Sequence, residues 1–366
     1  MINNRIILKK NVNLQTLTTR IIVCHLLIIN SQTINLIKMN NKIILLSVIL
    51  LFLASCDDKK SNKSTTQVPP QKEIKVPYFN ADSAYNYVKK QVDFGPRVPG
   101  SNAHSQCAEW FIDFFNEKAD TVYVQNFRTR LYNGQGIDGK NIIASFNPSA
   151  KKRILLGAHW DSRPFADHDP DEKNWNTPID GANDGASGVG VLMEIARVLN
   201  ENHINTGIDI ILFDLEDYGA PQYLNLMTND DWALGSQYWS KNPHIYNYRA
   251  YFGLLLDMVG GSNPRFPKEY YSQQLAPALS NDVWKIAREL GYSDYFTNEI
   301  GHPINDDHIY VNINAKIPMI DIIHLVDSDE TSFVPYWHTI NDNIEKIDRK
   351  TLDMVGNVVL NVIYKQ

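Results

Sequence analysis

Cysteine is scarce in this sequence, with three residues in a chain of 366. So few thiols exclude a disulfide-stapled scaffold and a cysteine-rich zinc module. An excess of positive charge is also missing. The formal net charge is −6, which excludes a general nucleic-acid-binding role. The apolar run at residues 43–54 is too short to span a bilayer comfortably. What remains is the composition of a globular protein, with 43% hydrophobic and 21% charged residues.

The N-terminal segment has the pattern of an export signal. A short basic start at residues 39–42 leads into the apolar run, which ends in Leu53-Ala54-Ser55-Cys56. This pattern predicts a signal peptide over residues 39–55. Its last four residues resemble a bacterial lipobox, in which Cys56 becomes the lipidated first residue of the mature protein. The alternative is an N-terminal membrane anchor that ends in Cys56 by chance. We interpret residues 1–38, which precede this complete signal, as a mis-called start.

The residues after the signal predict a tether and then a folded domain. Residues 56–75 are polar and charged and have almost no large apolar side chains, so they cannot bury enough surface to order themselves. We expect them to link the lipid to a domain at residues 76–366. This organisation predicts a bacterial lipoprotein that is bound to a membrane of the cell envelope and faces the periplasm or the cell surface. Cys107 lies in an apolar helical stretch and is expected to be a buried structural thiol.

Apolar runs and helical spacing alternate along the domain. Strands are expected at 122–130, 141–146, 153–159, 208–214, 251–257 and 319–325, and helices at 83–92, 103–118, 187–199 and 281–290. Four of the strand runs are almost wholly apolar, as expected for strands that are buried on both faces. The alternation predicts a single α/β domain with a mostly parallel central sheet flanked by helices.

Acidic and imidazole side chains follow three of these strands. The strand ends are His159-Trp160-Asp161, Asp214 to Asp217, and Asp257. Open α/β sheets bind ligands beyond the carboxyl ends of their strands, so these groups are expected at one rim. Asp184, before a helix, and His338, after the last strand, are candidates to join them.

The carboxylates and imidazoles at this rim favour a metal site. Converging carboxylates repel one another unless a cation or protons hold them together. Carboxylates with imidazole and no thiolate suit catalytic zinc. Taken alone, each of these residues also has an interpretation that involves no metal. Asp184 could cap a helix, Glu216 and Asp217 could be exposed loop charges, and His338 could be a surface or core residue.

Seven motifs occur in order along the domain. They are Phe-Gly-Pro-Arg-Val-Pro-Gly-Ser at 94–101, Ala-His-Trp-Asp-Ser at 158–162, Gly-Ala-Asn-Asp at 181–184, Phe-Asp-Leu-Glu-Asp at 213–217, Leu-Leu-Asp-Met-Val-Gly at 255–260, Asp-Asp-His at 306–308 and Trp-His-Thr at 337–339. The pattern resembles the zinc aminopeptidase-like superfamily, with its phosphorylase/hydrolase-like sandwich. Within that superfamily it is most similar to glutaminyl-peptide cyclotransferases (glutaminyl cyclases) of the bacterial lipoprotein type.

The resemblance implies a role for each matching residue. The zinc ligands would be Asp184, Asp217 and His338; the catalytic carboxyl groups would be Glu216 as general acid/base, with Asp257 and Asp306 over the substrate; and the substrate pocket would be lined by Trp337, Phe333, Trp232 and Asn305. Three positions depart from the animal enzymes: Asp217 replaces Glu, Asn305 replaces Gln, and Ala158 stands where a cysteine is expected.

The implied activity is zinc-dependent cyclisation of an N-terminal glutamine to pyroglutamate with release of ammonia. Its partners would be peptides and exported proteins that begin with glutamine, and it would use one zinc ion per chain. The alternative is a di-zinc aminopeptidase, whose second ion would be held by His159 and Asp257 with Asp184 bridging. For a cyclase we expect His159 to carry no metal and to pair with Asp161 or Asp257. A peptide-binding lipoprotein without catalysis is less favoured, because every expected catalytic side chain is present. His168 is expected in a solvated loop.

Overall fold

The computed structural model describes residues 75–226, 231–327 and 331–365. Three predicted segments lie outside these residues: the mis-called start at 1–38, the signal peptide at 39–55, and the tether from Cys56 up to residue 74. The described part belongs to one compact unit, Lys72–Gln366. Within the described ranges, no helix combines the length and the hydropathy needed to cross a bilayer.

A six-stranded mixed sheet forms the centre of the unit. Its strands are β1 (Thr121–Arg130), β2 (Gly136–Phe146), β3 (Arg153–His159), β4 (Gly207–Phe213), β5 (Phe252–Asp257) and β8 (Met319–Ile323), in the order β1-β2-β4-β3-β5-β8. The four strands β4, β3, β5 and β8 are parallel, whereas β1 and β2 are antiparallel to their neighbours. Two short strands, β6 (Phe266–Lys268) and β7 (Phe296–Ile300), pair separately.

Eight α-helices accompany these strands in the described residues. They are α1 (Ala81–Asp93), α2 (Asn102–Lys118), α3 (Ala186–Glu201), α4 (Leu234–Lys241), α5 (Tyr270–Leu275), α6 (Pro277–Glu289), α7 (Asp307–Tyr310) and α8 (Arg349–Tyr364). The predicted α/β architecture is therefore confirmed. Helices α4, α5, α7 and α8 and the β6–β7 pair were not predicted from the sequence.

The central strands are buried on both faces, as their apolar runs predicted. In β3, Ile154 and Leu156 face the core formed with α1, α2, α3 and α8, whereas Leu155 faces a second core that contains Trp239 of α4. Cys107 also lies in the larger core, and burial raises the pKa of its thiol to about 12, in agreement with a structural role.

The start of β2 is the strand boundary that differs most from the prediction, and the other boundaries lie within two residues of it. β2 begins at Gly136 and not at residue 141, because residues 136–140 continue the antiparallel pairing with β1 up to Arg130 opposite Gly136. These extra residues are glycine-rich and polar, so apolar periodicity could not reveal them.

Candidate active site

The carboxyl ends of β3, β4 and β5 bring the predicted acidic and imidazole groups to one rim. His159 is the last residue of β3 and pairs with Phe213, the last residue of β4. Asp257 ends β5, and residues 214–217 follow β4 directly. The strand register therefore brings the residues at the ends of β3, β4 and β5 together, which confirms that they converge at one rim of the sheet.

Asp184 enters the rim from a tight loop between two glycines. Gly181 and Gly185 have φ values of +56° and +92°, which favour glycine. A Cβ atom on Gly185 would lie 2.7 Å from the Asp161 carbonyl oxygen. The Asp342 carboxylate accepts hydrogen bonds from the amides of Asn183 (2.8 Å) and Asp184 (3.0 Å). Gly185 is the N-cap residue of α3 and no side chain caps the helix, so the helix-cap reading of Asp184 is wrong.

Glu216 and Asp217 are held by the buried carboxylate of Asp161. Its Oδ1 accepts from the Glu216 amide and its Oδ2 from the Asp217 amide, both at 3.1 Å. The two acidic residues are 9% and 1% exposed, so the reading of exposed loop charges is also wrong. Leu215, with φ +57°, turns the chain just before them.

Asp184, Asp217 and His338 form the first group that can hold a metal ion. His338 Nε2 lies 3.1 Å from Asp217 Oδ1 and 3.5 Å from Asp184 Oδ2. Among the described residues, neither oxygen of Asp217 has a hydrogen-bond partner of good geometry, although both are buried. Such orphaned oxygens are costly unless a cation satisfies them. Three buried ligands of O, O and N type fit zinc with an open fourth position.

Residues that had not been singled out from the sequence support His338. Its Nδ1 lies 3.5 Å from Asp167, which forms a two-point ion pair with Arg163 at 2.7 and 2.6 Å. Arg163 also donates to the Asp217 carbonyl oxygen at 3.0 Å. A carboxylate behind a ligating imidazole fixes its orientation and raises its basicity. The sequence carried no local signal for this pair, because Arg163 and Asp167 lie outside any helix or strand and a spacing of four predicts a contact only on a helix.

His159, Asp184 and Asp257 form a second group with metal-ligand spacing. His159 Nε2 lies 2.9 Å from Asp184 Oδ1 and 3.3 Å from Asp257 Oδ1, and Nδ1 lies 3.5 Å from Asp161. The expected contacts with Asp161 and Asp257 are therefore present, and Asp184 is a third and closer neighbour. Asp184 belongs to both groups, as the bridging ligand of a two-metal site would.

A cavity of about 320 Å³ opens beside these groups. Every predicted substrate-pocket and catalytic residue lines it: Glu216, Asp257, Asp306, Asn305, Trp232, Phe333 and Trp337, together with Met258, Pro303, Ile304 and Ser332. The Trp337 ring stacks on His338 with centroids 3.6 Å apart, and the Trp232 ring lies parallel to His338 at 6.0 Å. Aromatic rings therefore wall the candidate metal site.

The sequence predicts His168 in a solvated loop, and this prediction is wrong. The His168 ring packs 4.3 Å from Trp337 and the residue is half-buried. The surrounding aspartates favoured a solvated loop, but two of them, Asp167 and Asp169, are turned inward and buried.

Burial changes the proton affinity of the carboxyl groups around the cavity. It raises the pKa of Glu216 well above its usual range, and the negative charges of Asp306 and Asp217 add to this shift. Burial likewise raises the pKa of Asp257 to about 7 and raises that of Asp306. Carboxyl groups that hold protons near neutrality can accept and donate them in turn, which is what general acid/base chemistry requires.

The fold, the candidate metal site and the sequence together define the class of protein to which the chain belongs. The model of peptidase family M28 matches residues 141–363, and the chain belongs to this family. It is similar to a Zn-dependent exopeptidase from Parabacteroides distasonis, with 51% identity, a TM-score of 0.79, and coverage of 80% of this chain and 100% of that chain.

Within this class the particular likeness is to glutaminyl cyclases. The Bacteroides thetaiotaomicron glutaminyl cyclase bound to N-acetylhistamine shares 52% identity at a TM-score of 0.78, over 80% of this chain and 100% of that chain. The glutaminyl-peptide cyclotransferase of Gloydius blomhoffii is 26% identical over 249 residues. That match spans 60% of this chain and 63% of the relative, so the chain covers less than two thirds of this relative's length.

Proposed function

We propose that the domain cyclises the N-terminal glutamine of peptides to pyroglutamate and releases ammonia. The observation that carries the proposal is the position of Glu216. Its carboxyl group lines the cavity, while its neighbour Asp217 lies against His338. A proton carrier thus stands beside a candidate metal site within an aromatic pocket. The likeness to bacterial glutaminyl cyclases supports the same reading.

Asp184, Asp217 and His338 would hold one zinc ion. When bound, zinc supplies Lewis acidity that polarises a carbonyl group. The protein's own side chains would carry out the proton transfers. The α-amine nitrogen bonds to the side-chain carbonyl carbon, and the bond from that carbon to the amide nitrogen breaks. Glu216 would take a proton from the amine and return it to the leaving nitrogen, which departs as ammonia.

The other pocket residues would orient the substrate. The attack is intramolecular, so the site mainly has to fold the glutamine side chain back onto its own amine. Trp337, Phe333 and Trp232 would supply apolar walls that exclude water, which would otherwise compete with the amine. Asp257 and Asp306 would donate hydrogen bonds to the developing charge, because their raised pKa values favour the protonated form. Asn305 lines the same cavity and would contact the peptide.

A di-zinc aminopeptidase is the second candidate. The observation that favours it is the group of His159, Asp184 and Asp257, whose ligand atoms lie within 4.8 Å of one another. A peptidase would use a second ion there to bind the free amine or an activated water. A cyclase needs the amine uncoordinated, since a metal-bound amine has given up the lone pair required for attack.

The reaction product separates the two candidates. For the cyclase we expect a glutamine-initiated peptide to lose ammonia, about 17 mass units, with its chain length unchanged and one zinc per chain. His159→Ala should then leave the zinc content unaltered. Mass spectrometry of the product and elemental analysis provide the measurements. Release of free N-terminal amino acids, with two zinc ions that fall to one in His159→Ala, would establish the peptidase.

We further propose that the protein is an exported lipoprotein. The lipobox-like Leu53-Ala54-Ser55-Cys56 supports attachment through Cys56, and the polar residues 56–75 supply a tether of suitable composition. The enzyme would then meet exported proteins and peptides that begin with glutamine, in the periplasm or at the cell surface of a bacterium.

A further inference from the structure

Glu269 is a fully buried carboxylate that none of the predicted roles includes. It accepts hydrogen bonds from four donors: the amides of Tyr271 (2.8 Å), Ser272 (2.6 Å) and Ile304 (3.0 Å), and His308 Nε2 (3.1 Å). Two of these bonds cap the short helix α5. The other two reach a distant part of the chain, more than 30 residues away in sequence, so helix capping alone does not explain this residue.

The two distant donors bracket Asp306. Ile304 lies two residues before it and His308 two residues after it, and Ile304 and Asp306 both line the cavity. Residues 301–306 have no regular secondary structure. Their path depends on the β6–α5 corner, where Gly301 donates to the Lys268 carbonyl oxygen at 2.7 Å and Tyr270 donates to that of His302 at 3.3 Å. Glu269 lies between these two anchors in sequence and adds the bonds nearest to Asp306.

The charge of Glu269 strengthens this attachment. Burial alone would raise its pKa, but the bonds from His308, Ser272 and Tyr271 outweigh that effect and the pKa lies below its usual value. An ionised carboxylate accepts shorter and stronger hydrogen bonds than a neutral group. His308 in turn lies with Asp306 and Asp321 in a group whose polar atoms are within 4.8 Å of one another.

We propose that Glu269 is a positioning residue for the substrate pocket, which fixes the segment from Pro303 to His308 so that Ile304 walls the cavity and Asp306 faces the peptide N-terminus. The inference rests on the proposed function. A displacement of about 1 Å at such a segment can lower activity by ~10²-fold. Loss of Glu269 should therefore affect substrate binding and turnover without touching the candidate zinc ligands.

The test compares Glu269→Gln with Asn80→Ala. Asn80 caps α1 by accepting from the second and third following amides, at 3.0 and 3.1 Å, as Glu269 does at α5, but it lies outside the pocket lining. The control therefore reproduces the loss of a helix cap alone. The substituted glutamine keeps the shape of the side chain, and its amide oxygen can satisfy only one pair of the four donors. For the wild type and for each variant, we would measure steady-state kinetics on a glutamine-initiated peptide, zinc content and melting temperature. Hydrogen–deuterium exchange of residues 301–309 is measured on the same proteins.

For Glu269→Gln we expect kcat/KM to fall by about 10- to 100-fold with a clear rise in KM, unchanged zinc content and faster exchange at 301–309. Partial unfolding would instead lower kcat and leave KM unaltered. A Glu269→Gln variant that matches Asn80→Ala in KM and in exchange at 301–309 would overturn the inference. If the wild-type protein releases no ammonia, the proposed function fails instead. The exchange result then still decides whether Glu269 holds this segment.

Discussion

Glu216 and Asp217 show how two adjacent carboxyl groups can acquire different chemistry. The Asp161 carboxylate accepts from both of their amides and thereby fixes the backbone between them. Asp217 is then directed toward His338 and Arg163, whereas Glu216 lines the cavity. Burial raises the pKa of both groups, and the positive charges of His338 and Arg163 oppose that rise at Asp217. The two substitutions should therefore have separable effects.

Replacing Glu216 by glutamine removes the proton carrier and keeps the shape of the side chain. We expect the rate of ammonia release to fall by about 10²- to 10⁴-fold, because no other group takes over both proton transfers. Zinc content should remain as in the wild type, since the group of Asp184, Asp217 and His338 is intact. Elemental analysis and the ammonia assay check this prediction. Zinc loss in Glu216→Gln would show that Glu216 is itself a ligand.

Replacing Asp217 by alanine should lower the affinity for zinc. The change removes one of three ligands and leaves His338 and Asp184 with an incomplete site. Zinc affinity measured by competition with a chelator reports the loss. Asp138→Asn is a suitable control, because this carboxylate is exposed on β2 and pairs with Arg128 of the edge strand β1. Full zinc retention in Asp217→Ala would reverse the roles assigned to the two residues.

The residues that carry chemistry were easier to predict than those that hold them in place. His159, Asp184, Glu216, Asp217 and Asp257 occur at strand ends or in a glycine loop, where local sequence marks them. Their supporting partners carry no such local mark. Asp342 binds the amide of Asp184 from 158 residues away, and Glu269 binds that of Ile304 from 35 residues away. Only tertiary structure creates these contacts.

At the scale of elements, prediction worked where burial dictated the pattern. The apolar runs were sufficient to predict the strands β3, β4 and β5, and the helical spacing of apolar residues was sufficient to predict α3. Helix α8 carries a comparable signal in Leu352, Val355 and Val359, three buried residues at helical spacing from which no helix had been predicted. Helices α5 and α7 are six and four residues long, too short for periodicity to detect.

The contact between α3 and β5 sets the position of Asp257. A Cβ atom on Gly188 would lie 2.1 Å from the Leu256 carbonyl oxygen and 3.0 Å from Ala158 Cβ, so α3 can approach the sheet only with glycine there. Gly188→Ala should lower the free energy of unfolding by about 1–3 kcal/mol, as overpacked cores do. It should also reduce activity, because the end of β5 must shift. Urea denaturation and the ammonia assay measure the two effects.

Gly136→Ala provides the control for this substitution. Its added Cβ would meet only the flexible end of Arg128, with 3.1 Å to the nearest atom, at the edge of the sheet. We expect stability and activity close to those of the wild type. If Gly188→Ala behaved in the same way, the close approach of α3 to β5 would not control the geometry of the site.

At the scale of the whole molecule, charge is distributed unevenly along the chain. Residues 1–55 carry six Lys or Arg residues and no Asp or Glu, while the complete chain has a net charge of −6. Basic residues therefore outnumber acidic ones in the predicted export signal and the residues before it, and to a smaller extent in the predicted tether. The excess of negative charge belongs to residues 76–366, so attachment of the predicted domain to an anionic membrane surface would not come from its own net charge.

The predicted lipid anchor can be tested at Cys56. Cys56→Ser removes the thiol that would carry the lipid, so we expect the protein to leave the membrane fraction or to accumulate as an uncleaved precursor. Cys24→Ser is the matched control: it lies before Met39, and we expect fractionation and mass like those of the wild type. Membrane fractionation and intact-protein mass spectrometry provide the measurements. A Cys56→Ser protein that fractionates with membranes at the wild-type processed mass would disprove the anchor, because membrane association would then require neither the lipid on Cys56 nor the removed apolar segment.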